Sequence, residues 1–343
     1  MKHFASSIIF TIVAMIAAVL RSHGIWWGRE AAITWWFIAL VLGILEVSLS
    51  FDNAVVNAAV LETMSPTRQR RFLTRWMAIA VFGVRIIFPV AIVALAAWID
   101  PITVLNIAFT NPDQYAAYLI SSHAAIASFG GMFLLMVFLK FILDPLKEIH
   151  WIHIIEKYLI KVGKLEAVEV LMAMITLLIV QVFVPGEEKL TVLVSGISWL
   201  AIFVAVDALS SYLHDTEKQT LTHGIAKAWF GAFMYLEILD ASFSFDGVIG
   251  AFAISKDIVI IALWLGIGAM FVRSMTLYLV KKGTLQQYIY LEHGAHYAIG
   301  ILAIIMLASI KYHIPEVFTG ISGAILIWLS LRSSHKHNKA SQA

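Results

Sequence analysis

The residues of this chain best suited to chemistry are carboxylates that lie inside strongly apolar stretches. An acidic phrase occurs twice, at 46–53 as Glu-Val-Ser-Leu-Ser-Phe-Asp-Asn and at 240–247 as Asp-Ala-Ser-Phe-Ser-Phe-Asp-Gly, with four identities in the first seven positions. A charged side chain at the centre of a membrane helix is unfavourable by roughly 2.5 to 3.5 kcal/mol on insertion scales, so such residues are usually functional. The repeated phrase therefore predicts a site.

In each copy of the phrase, a regular helix would direct the final aspartate away from the other polar residues. At about 100° per residue, Glu46, Ser50 and Asn53 share one face and Asp52 lies on another. We expect the backbone to unwind near Ser50 to Asn53, and at the corresponding place in the second copy, because this gathers carboxylates and free carbonyl groups around one cavity. The candidate ligands for a metal cation are Glu46, Ser50, Asp52, Asn53, Glu237, Asp240, Ser244 and Asp246.

The balance of charge in the apolar stretches favours a cation as the occupant of such a cavity. Two arginines, Arg85 and Arg273, are candidate counter-ions or gating partners, against six acids: Glu46, Asp52, Glu237, Asp240, Asp246 and Glu292. The surplus carboxylates must be protonated or bind cations, and hard oxygen ligands suit Mg²⁺, Ca²⁺ or Mn²⁺ better than copper or zinc. The alternative is that the acids pair with the arginines and the serines only fix helix packing.

A second constellation, Glu292-His293-Gly294-Ala295-His296, places two imidazoles on one helical face beside a carboxylate. The spacing resembles a zinc site on a helix, although the order differs from that of metalloproteases. Three interpretations stay open for Glu292, His293 and His296: polar residues of a transport pathway with a gating or counter-ion role, packing residues, or the centre of a metal-dependent hydrolase.

Composition places the chain in the membrane. Of its 343 residues, 61% are hydrophobic and 13% are charged, and the mean hydropathy is +0.87. Soluble domains carry about 25% charged residues. There are no cysteines, which excludes disulfides and thiolate metal sites. The chain has no basic patch and no nucleotide-binding glycine motif, so we expect no nucleic acid partner and no ATP-driven pump. We also expect that the protein is not an enzyme.

Ten apolar runs are long enough to be membrane spans. Lysine and arginine number 16 in one set of alternate loops and 5 in the other, which predicts that both termini are cytoplasmic. No cleavage pattern follows the first run, so we expect it to be retained as a helix. The runs lie at about 4–20, 33–61, 76–98, 123–143, 168–184, 190–213, 228–255, 258–280, 287–310 and 317–331.

This topology makes the two acidic phrases antiparallel, as in transporters built from inverted repeats. We expect one all-α membrane domain over 1–343, with two inverted three-helix repeats at about 33–143 and 228–310 whose first helices are interrupted. Residues 144–213 form a linker and extra spans, and 317–343 form a last span and a solvated cytoplasmic tail. Two echoes support the pairing: one buried arginine follows each phrase, and His123 to Gly130 matches His293 to Gly300 in spacing.

The largest loop, 144–166, has mixed charge and a helical pattern. We expect it to lie along the cytoplasmic membrane surface with Trp151 and Tyr158 at the interface. Nothing in its sequence suggests a chemical role.

The phrases Glu46-x-x-Leu49-Ser50-x-Asp52-Asn53 and Asp240-x-x-Phe243-Ser244-x-Asp246 resemble the two signature motifs of the TerC family of integral membrane proteins, and the stretch 290–297 resembles a further part of that family. The resemblance covers about 33–310. The extra first and last spans and the long loop indicate a longer branch. Gly247 and His293 depart from the family pattern, where a polar residue and an acid are usual.

The resemblance implies a member of the LysE-like transporter superfamily that exports manganese(II), or supplies it across the bacterial inner membrane, through the ligands named above. We therefore expect a multi-pass inner-membrane transporter with Mn²⁺ as the transported ion, no permanent cofactor, and exchange for protons through the same carboxylates. The alternatives are a LysE-like carrier of an organic cation or amino acid, an intramembrane metal-dependent hydrolase, and a membrane partner that loads metal into secreted enzymes.

Overall fold

The computed structural model describes residues 4–25, 51–62, 99–165, 167–219, 258–312 and 316–342, with a few single residues besides. Within these ranges every regular element is a helix, as the composition predicts. We number them in chain order: α1 Ala5–Ile25, α2 Phe51–Glu62, α3 Pro101–Thr110, α4 Pro112–Ser121, α5 His123–Ile142, α6 His153–Val162, α7 Val168–Phe183, α8 Lys189–Gln219, α9 Ile258–Lys282, α10 Thr284–Gln287, α11 Leu291–Ser309 and α12 Glu316–Gln342.

Three stretches in the described part of the chain are long and apolar enough to cross a membrane: His123–Ile142, Leu263–Lys282 and Leu291–Ser309. Each coincides with a predicted span. Shorter apolar helices lie at Ala5–Ala17, Pro101–Thr110, Val168–Phe183 and Lys189–Ala205. The expected spans at 76–98 and 228–255, and most of the one at 33–61, lie outside the described residues. The described part of the chain is thus all-helical, and its three long apolar helices indicate a protein that associates with a membrane.

Helices α5 and α11 form the centre of the described core, and they run antiparallel. Ser309, at the end of α11, has its hydroxyl oxygen 3.5 Å from Nε2 of His123, at the start of α5. At the other end, the ring of Phe141 stacks on His296 at 3.7 Å between centroids. Small residues allow the close approach, since a Cβ on Gly131 would lie 3.3 Å from the backbone nitrogen of Leu307. Small residues commonly bring membrane helices together in this way.

Helices α7 and α8 pack against the outer side of α5. The buried hydroxyl of Ser128 donates to the carbonyl of Val192 at 2.7 Å, which satisfies a polar group that would otherwise be desolvated. The ring of Trp199 lies 4.0 Å from that of Phe129 and 5.0 Å from that of Phe133. These contacts attach the 168–205 region, predicted as linker and extra spans, to the core.

Helix α9 packs against both α1 and α2. Thr276 donates to the α2 carbonyl of Ala54 at 3.4 Å, and Ser274 hydrogen-bonds the hydroxyl of Ser7 on α1. Phe4 contacts the rings of Phe271 and Tyr278. The first helix is therefore bound to the same group of helices that contains α2.

Two helices, α3 and α4, fall in a stretch for which we predicted no element. Asp100 caps α3 by accepting from the backbone N–H of Thr103 at 3.0 Å, and Asn111 caps α4 by accepting from Gln114 at 3.3 Å. A proline follows each cap at the first helical position. Both features are standard signals for helix starts, so the short helices follow from local sequence.

Helix α12 continues to Gln342, through the residues for which we expected a solvated tail. Ser334 is buried, and its hydroxyl accepts from the backbone N–H of Tyr290 at 3.0 Å. Asn338 donates to the carbonyl of Gln287 at 2.8 Å. The last turns of α12 therefore pack on the connection between α9 and α11, because they supply polar partners to its backbone.

Candidate functional site

Most of the predicted cation ligands lie outside the described residues. This holds for the candidate counter-ion Arg85 and for the ligands Glu46, Ser50, Glu237, Asp240, Ser244 and Asp246. The structure describes Asp52 through its backbone and Asn53 in full, both within α2. Because α2 is helical from Phe51, the expected unwinding does not include residues 51–53, and the proposed interruption of the second copy lies outside the described ranges.

Asn53 and Asn57 form a buried amide face on α2. They are one helical turn apart and are 0% and 3% exposed, among alanine and valine neighbours that are also buried. The side-chain oxygen of Asn57 has no hydrogen-bond partner among the described residues. A buried carbonyl oxygen without a donor is unfavourable by about 1 to 3 kcal/mol, so its presence in an apolar helix needs a reason. Helix α2 presents its faces to α9 and α11.

Arg273 lies on α9, facing α1. One of its terminal nitrogens donates to the hydroxyl of Ser6 at 3.3 Å, and the side chain is partly exposed. The next turn of α9 carries Thr276, which contacts α2. The position is compatible with a role between α1 and the α2 region, and the predicted role of Arg273 as counter-ion or gating residue stays a prediction.

The two histidines of the second constellation hydrogen-bond backbone carbonyls. His296 donates from Nδ1 to the carbonyl of Glu292 at 2.9 Å, and its ring stacks on Phe141. His293 donates from Nε2 to the carbonyl of Ile149 at 2.8 Å, which leaves its buried Nδ1 without a partner among the described residues. No group of three or more possible protein metal ligands occurs in the described ranges. The two hydrogen bonds fix the orientation of both imidazole rings, and the three interpretations of this constellation stay open.

Glu292 lies near the end of α2, within electrostatic range of Glu62 and of Lys147. The start of α11 and the end of α2 thus bring two carboxylates to the same region.

A buried ion pair that we did not predict connects the 144–166 segment to α11. Glu156 is 0% exposed, and its Oε2 lies 3.0 Å from Nζ of Lys147 and 3.7 Å from Nε2 of His293. Its Oε1 accepts from the hydroxyl of Tyr297 at 3.2 Å and from the backbone N–H of Ile152 at 3.1 Å. The carboxylate is therefore contacted by one ammonium group, one imidazole and several hydrogen-bond donors.

The environment of Glu156 keeps it ionised. Burial acts to raise the pKa of this carboxyl, but the N–H of Ile152 and the ammonium of Lys147 act against burial and hold the pKa below its ordinary value of 4.5. Hydrogen bonds to a carboxylate stabilise its charged form. The sequence carried one signal for this residue, since Glu156 is the sole acid in 149–165. We expected a surface segment and assigned it no chemistry, but its central acid is buried.

The aromatic ring of Phe141 joins these parts. The ammonium of Lys147 lies 4.5 Å from the centre of that ring, and the imidazoles of His296 and His293 lie 3.7 and 5.1 Å from it. One ring at the end of α5 therefore contacts both histidines of α11 and the cation that pairs with Glu156.

A family model described as "Protein of unknown function (DUF475)" matches residues 51–341. This range contains helices α2 to α11 and nearly all of α12. No curated protein and no solved structure matches the chain significantly.

Proposed function

The chain belongs to the DUF475 family, whose description states no function, and we propose that it is a divalent metal cation transporter of the bacterial inner membrane. The cation we favour is manganese(II), exported by alternating access in exchange for protons. The ligands are the acidic residues and serines of the two phrases at 46–53 and 240–247, with Asn53 and Glu237 beside them.

The observation that carries this proposal is the buried amide face of α2. Asn53 and Asn57 continue the polar character of the first acidic phrase into a helix that is otherwise packed with alanine and valine. Amide oxygens are ligands that Mg²⁺, Ca²⁺ and Mn²⁺ accept. Buried amide groups that follow a phrase of acids and hydroxyls in the sequence supply the kind of oxygen that a hard cation needs to replace its water.

The packing of α5 against α11 supports an inverted repeat. We paired His123 to Gly130 with His293 to Gly300 from their spacing alone. Gly130 and Gly300 both lie at the α5–α11 contact, where a Cβ on Gly130 would be 2.7 Å from Met306 and one on Gly300 would be 2.8 Å from Phe138. An antiparallel pair in which corresponding glycines contact the opposite helix is the arrangement that a pseudo-twofold axis in the membrane plane would produce.

Proton exchange follows from the chemistry of the proposed ligands. A carboxyl group in an apolar cavity favours its neutral form, whereas an arriving divalent cation favours the carboxylate. Entry of the cation therefore releases protons, and its departure allows protons to return. Arg85 and Arg273 would neutralise the acids that bind no cation.

The test is transport in sealed vesicles that contain the purified protein. Replacement of Asp52 or Asp246 by Asn should abolish Mn²⁺ flux and the proton flux coupled to it, because the oxygen ligand keeps its size but loses its charge. The matched control is Asp113→Asn, which removes an exposed carboxylate from the first turn of α4. Wild-type Mn²⁺ flux in both motif variants would refute the proposal.

The same assay separates the other candidates. Competition by amino acids or organic cations, without competition by Mg²⁺ or Ca²⁺, would favour an organic-cation carrier. The hydrolase centred on Glu292, His293 and His296 predicts zinc in the purified protein, which elemental analysis would detect.

A further inference from the structure

The segment between α5 and α7 lies across the end of two membrane-spanning helices. It leaves α5 at Leu143, contacts the start of α11 where Ile149 accepts from His293, and returns to α5 at Gly163. The return is a direct backbone contact, because a Cβ on Gly163 would overlap the carbonyl oxygen of Leu143. Since α5 ends and α11 begins at this level, α6 lies where the hydrocarbon core of a membrane gives way to headgroups.

Helix α6 buries one side and exposes an apolar side. Glu156 is fully buried in the ion pair with Lys147, and Leu159 packs against the core. The opposite side consists of four exposed apolar or aromatic residues within about 100° of arc at 100° per residue. They are Ile154, Ile155, Tyr158 and Val162, which are 79%, 49%, 67% and 41% exposed.

Lysines flank this apolar surface along one edge. Lys157 and Lys161 are exposed one helical turn apart, and Lys164 follows just after the helix. The ammonium of Lys161 lies 5.8 Å from the ring centre of Tyr158. The one acid in 149–165, Glu156, is buried and paired, so the exposed charge of this stretch is wholly positive. Apolar residues bordered by lysines are typical of helices that lie in the interface of anionic membranes.

We propose that the exposed side of α6, formed by Ile154, Ile155, Tyr158 and Val162 with Lys157, Lys161 and Lys164, binds anionic phospholipid. The apolar residues enter the boundary between headgroups and acyl chains, and the three ammonium groups contact the phosphates. The buried ion pair of Glu156 and the contact of Gly163 with Leu143 fix the helix in the orientation that makes both contacts possible. The proposal requires only that the protein lies in a membrane, whatever it transports.

The expected effect is large enough to measure. Each lysine at an anionic surface contributes roughly a fivefold gain in affinity, so three contribute on the order of a hundredfold. Hydrogen–deuterium exchange of the backbone amides of α6 measures this binding, because amides held at the membrane surface exchange more slowly. The full chain is placed in nanodiscs of phosphatidylcholine alone, or of an equal mixture of phosphatidylcholine and phosphatidylglycerol, and exchange is followed in peptides that cover 153–165.

In the wild-type protein, exchange in these peptides should be several-fold slower in the anionic discs, and molar salt should remove the difference because it shortens the Debye length to about 3 Å. The variant Lys157→Gln/Lys161→Gln/Lys164→Gln should show equal exchange in both lipids. The control Lys281→Gln/Lys336→Gln/Lys339→Gln removes three exposed lysines elsewhere and should keep the wild-type difference.

Three results would overturn the proposal. The first is equal wild-type exchange in neutral and anionic discs, and the second is an undiminished effect of phosphatidylglycerol in the α6 lysine variant. The third is slow exchange in neutral lipid that appears only when two copies share a disc, because a second copy of the chain would then be the occupant.

Discussion

Oε2 of Glu156 lies 3.7 Å from Nε2 of His293, across the contact between the segment after α5 and the first turns of α11. The same imidazole nitrogen donates to the carbonyl of Ile149 at 2.8 Å, so a loop carbonyl and the carboxylate of Glu156 on α6 both lie against one ring. His293 belongs to the constellation for which we left a transport-pathway role, a packing role and a hydrolase centre open. The structure shows that its immediate partners come from the segment to which we assigned no chemistry.

Replacement of Glu156 by Gln should destabilise the protein. It leaves the ammonium of Lys147 buried without its counter-charge, and breaking one partner of a buried pair is unfavourable by about 3 to 5 kcal/mol. Thermal unfolding in detergent, followed by tryptophan fluorescence, measures the change. The exposed Glu148→Gln is the control and should unfold like the wild type. Adding Lys147→Met to Glu156→Gln should recover part of the loss, and failure of any recovery would contradict the pairing.

The stability contributed by Glu156 should depend on pH in a defined direction. Burial raises the pKa of this carboxyl, but the Ile152 N–H and the Lys147 ammonium lower it by more, so the pKa in the folded protein lies below its ordinary value. A lowered folded pKa gives stability that is complete above the unfolded value and disappears as the pH falls through the folded value. The difference in unfolding temperature between wild type and Glu156→Gln should therefore shrink on acidification from about pH 6 to about pH 3. A constant difference across that range would contradict the assignment.

Gly294→Ala should separate α11 from α12. The added Cβ would lie 2.6 Å from Cβ of Ser330 and 3.1 Å from the carbonyl oxygen of Leu326. Overpacking of this kind is unfavourable by about 1 to 3 kcal/mol. Gly323→Ala is the matched control at the same helix pair, since its Cβ would meet only Ala298 at 3.8 Å, and it should be neutral or stabilise by up to about 1 kcal/mol. Equal unfolding temperatures for the two variants would contradict the close approach.

Ser334→Ala should weaken the start of α11. The Ser334 hydroxyl accepts from the N–H of Tyr290, which is the N-cap residue of α11 and makes no capping hydrogen bond with its own side chain. Loss of a capping hydrogen bond is unfavourable by about 1 kcal/mol. Unfolding temperature measures the effect, with the exposed His335→Ala as control. A truncation after residue 333 should lower stability further, because it also removes the bond from Asn338 to Gln287.

Asn57→Leu should separate stability from transport. The side-chain oxygen of Asn57 is buried without a partner in the described part of the chain, so an apolar residue of similar size should leave the unfolding temperature unchanged or higher. If the amide face of α2 serves cation passage, Mn²⁺ flux should fall about tenfold, as expected where a destabilising polar group serves function. Unchanged flux in a well-folded variant would exclude Asn57 from the pathway.

The helices that sequence predicted well are those with long apolar runs. Such runs have to form helices in a membrane because each backbone polar group needs an internal partner, and α5, α9 and α11 follow the predicted spans within a few residues. The short helices α3 and α4 carry their signals in Asp100-Pro101 and Asn111-Pro112, which hydropathy does not register. The prediction of helices used the length of apolar runs alone, so it did not include the two short helices that these caps start.

Burial of particular charges was not predictable from spacing. Glu156 stands among exposed lysines in a mixed-charge segment, and only the fold brings Lys147, His293 and Tyr297 to it. The burial of the Ser334 hydroxyl was also not predictable, since its partner Tyr290 is 44 residues earlier in the chain. The first set of contacts depends on how the 144–166 segment meets α11, and the second on how α12 meets the start of α11; a single sequence specifies neither.

The glycines between α5 and α11 limit where a solute could cross. At Gly131 the two backbones are nearly in contact, and the spaces beside Gly130 and Gly300 are occupied by Met306 and Phe138. The seam between these helices is therefore closed to an ion and its water along its middle. If the chain transports a cation as proposed, the ion would pass along another side of α11, and helix α2, which contacts α11, carries the buried Asn53 and Asn57.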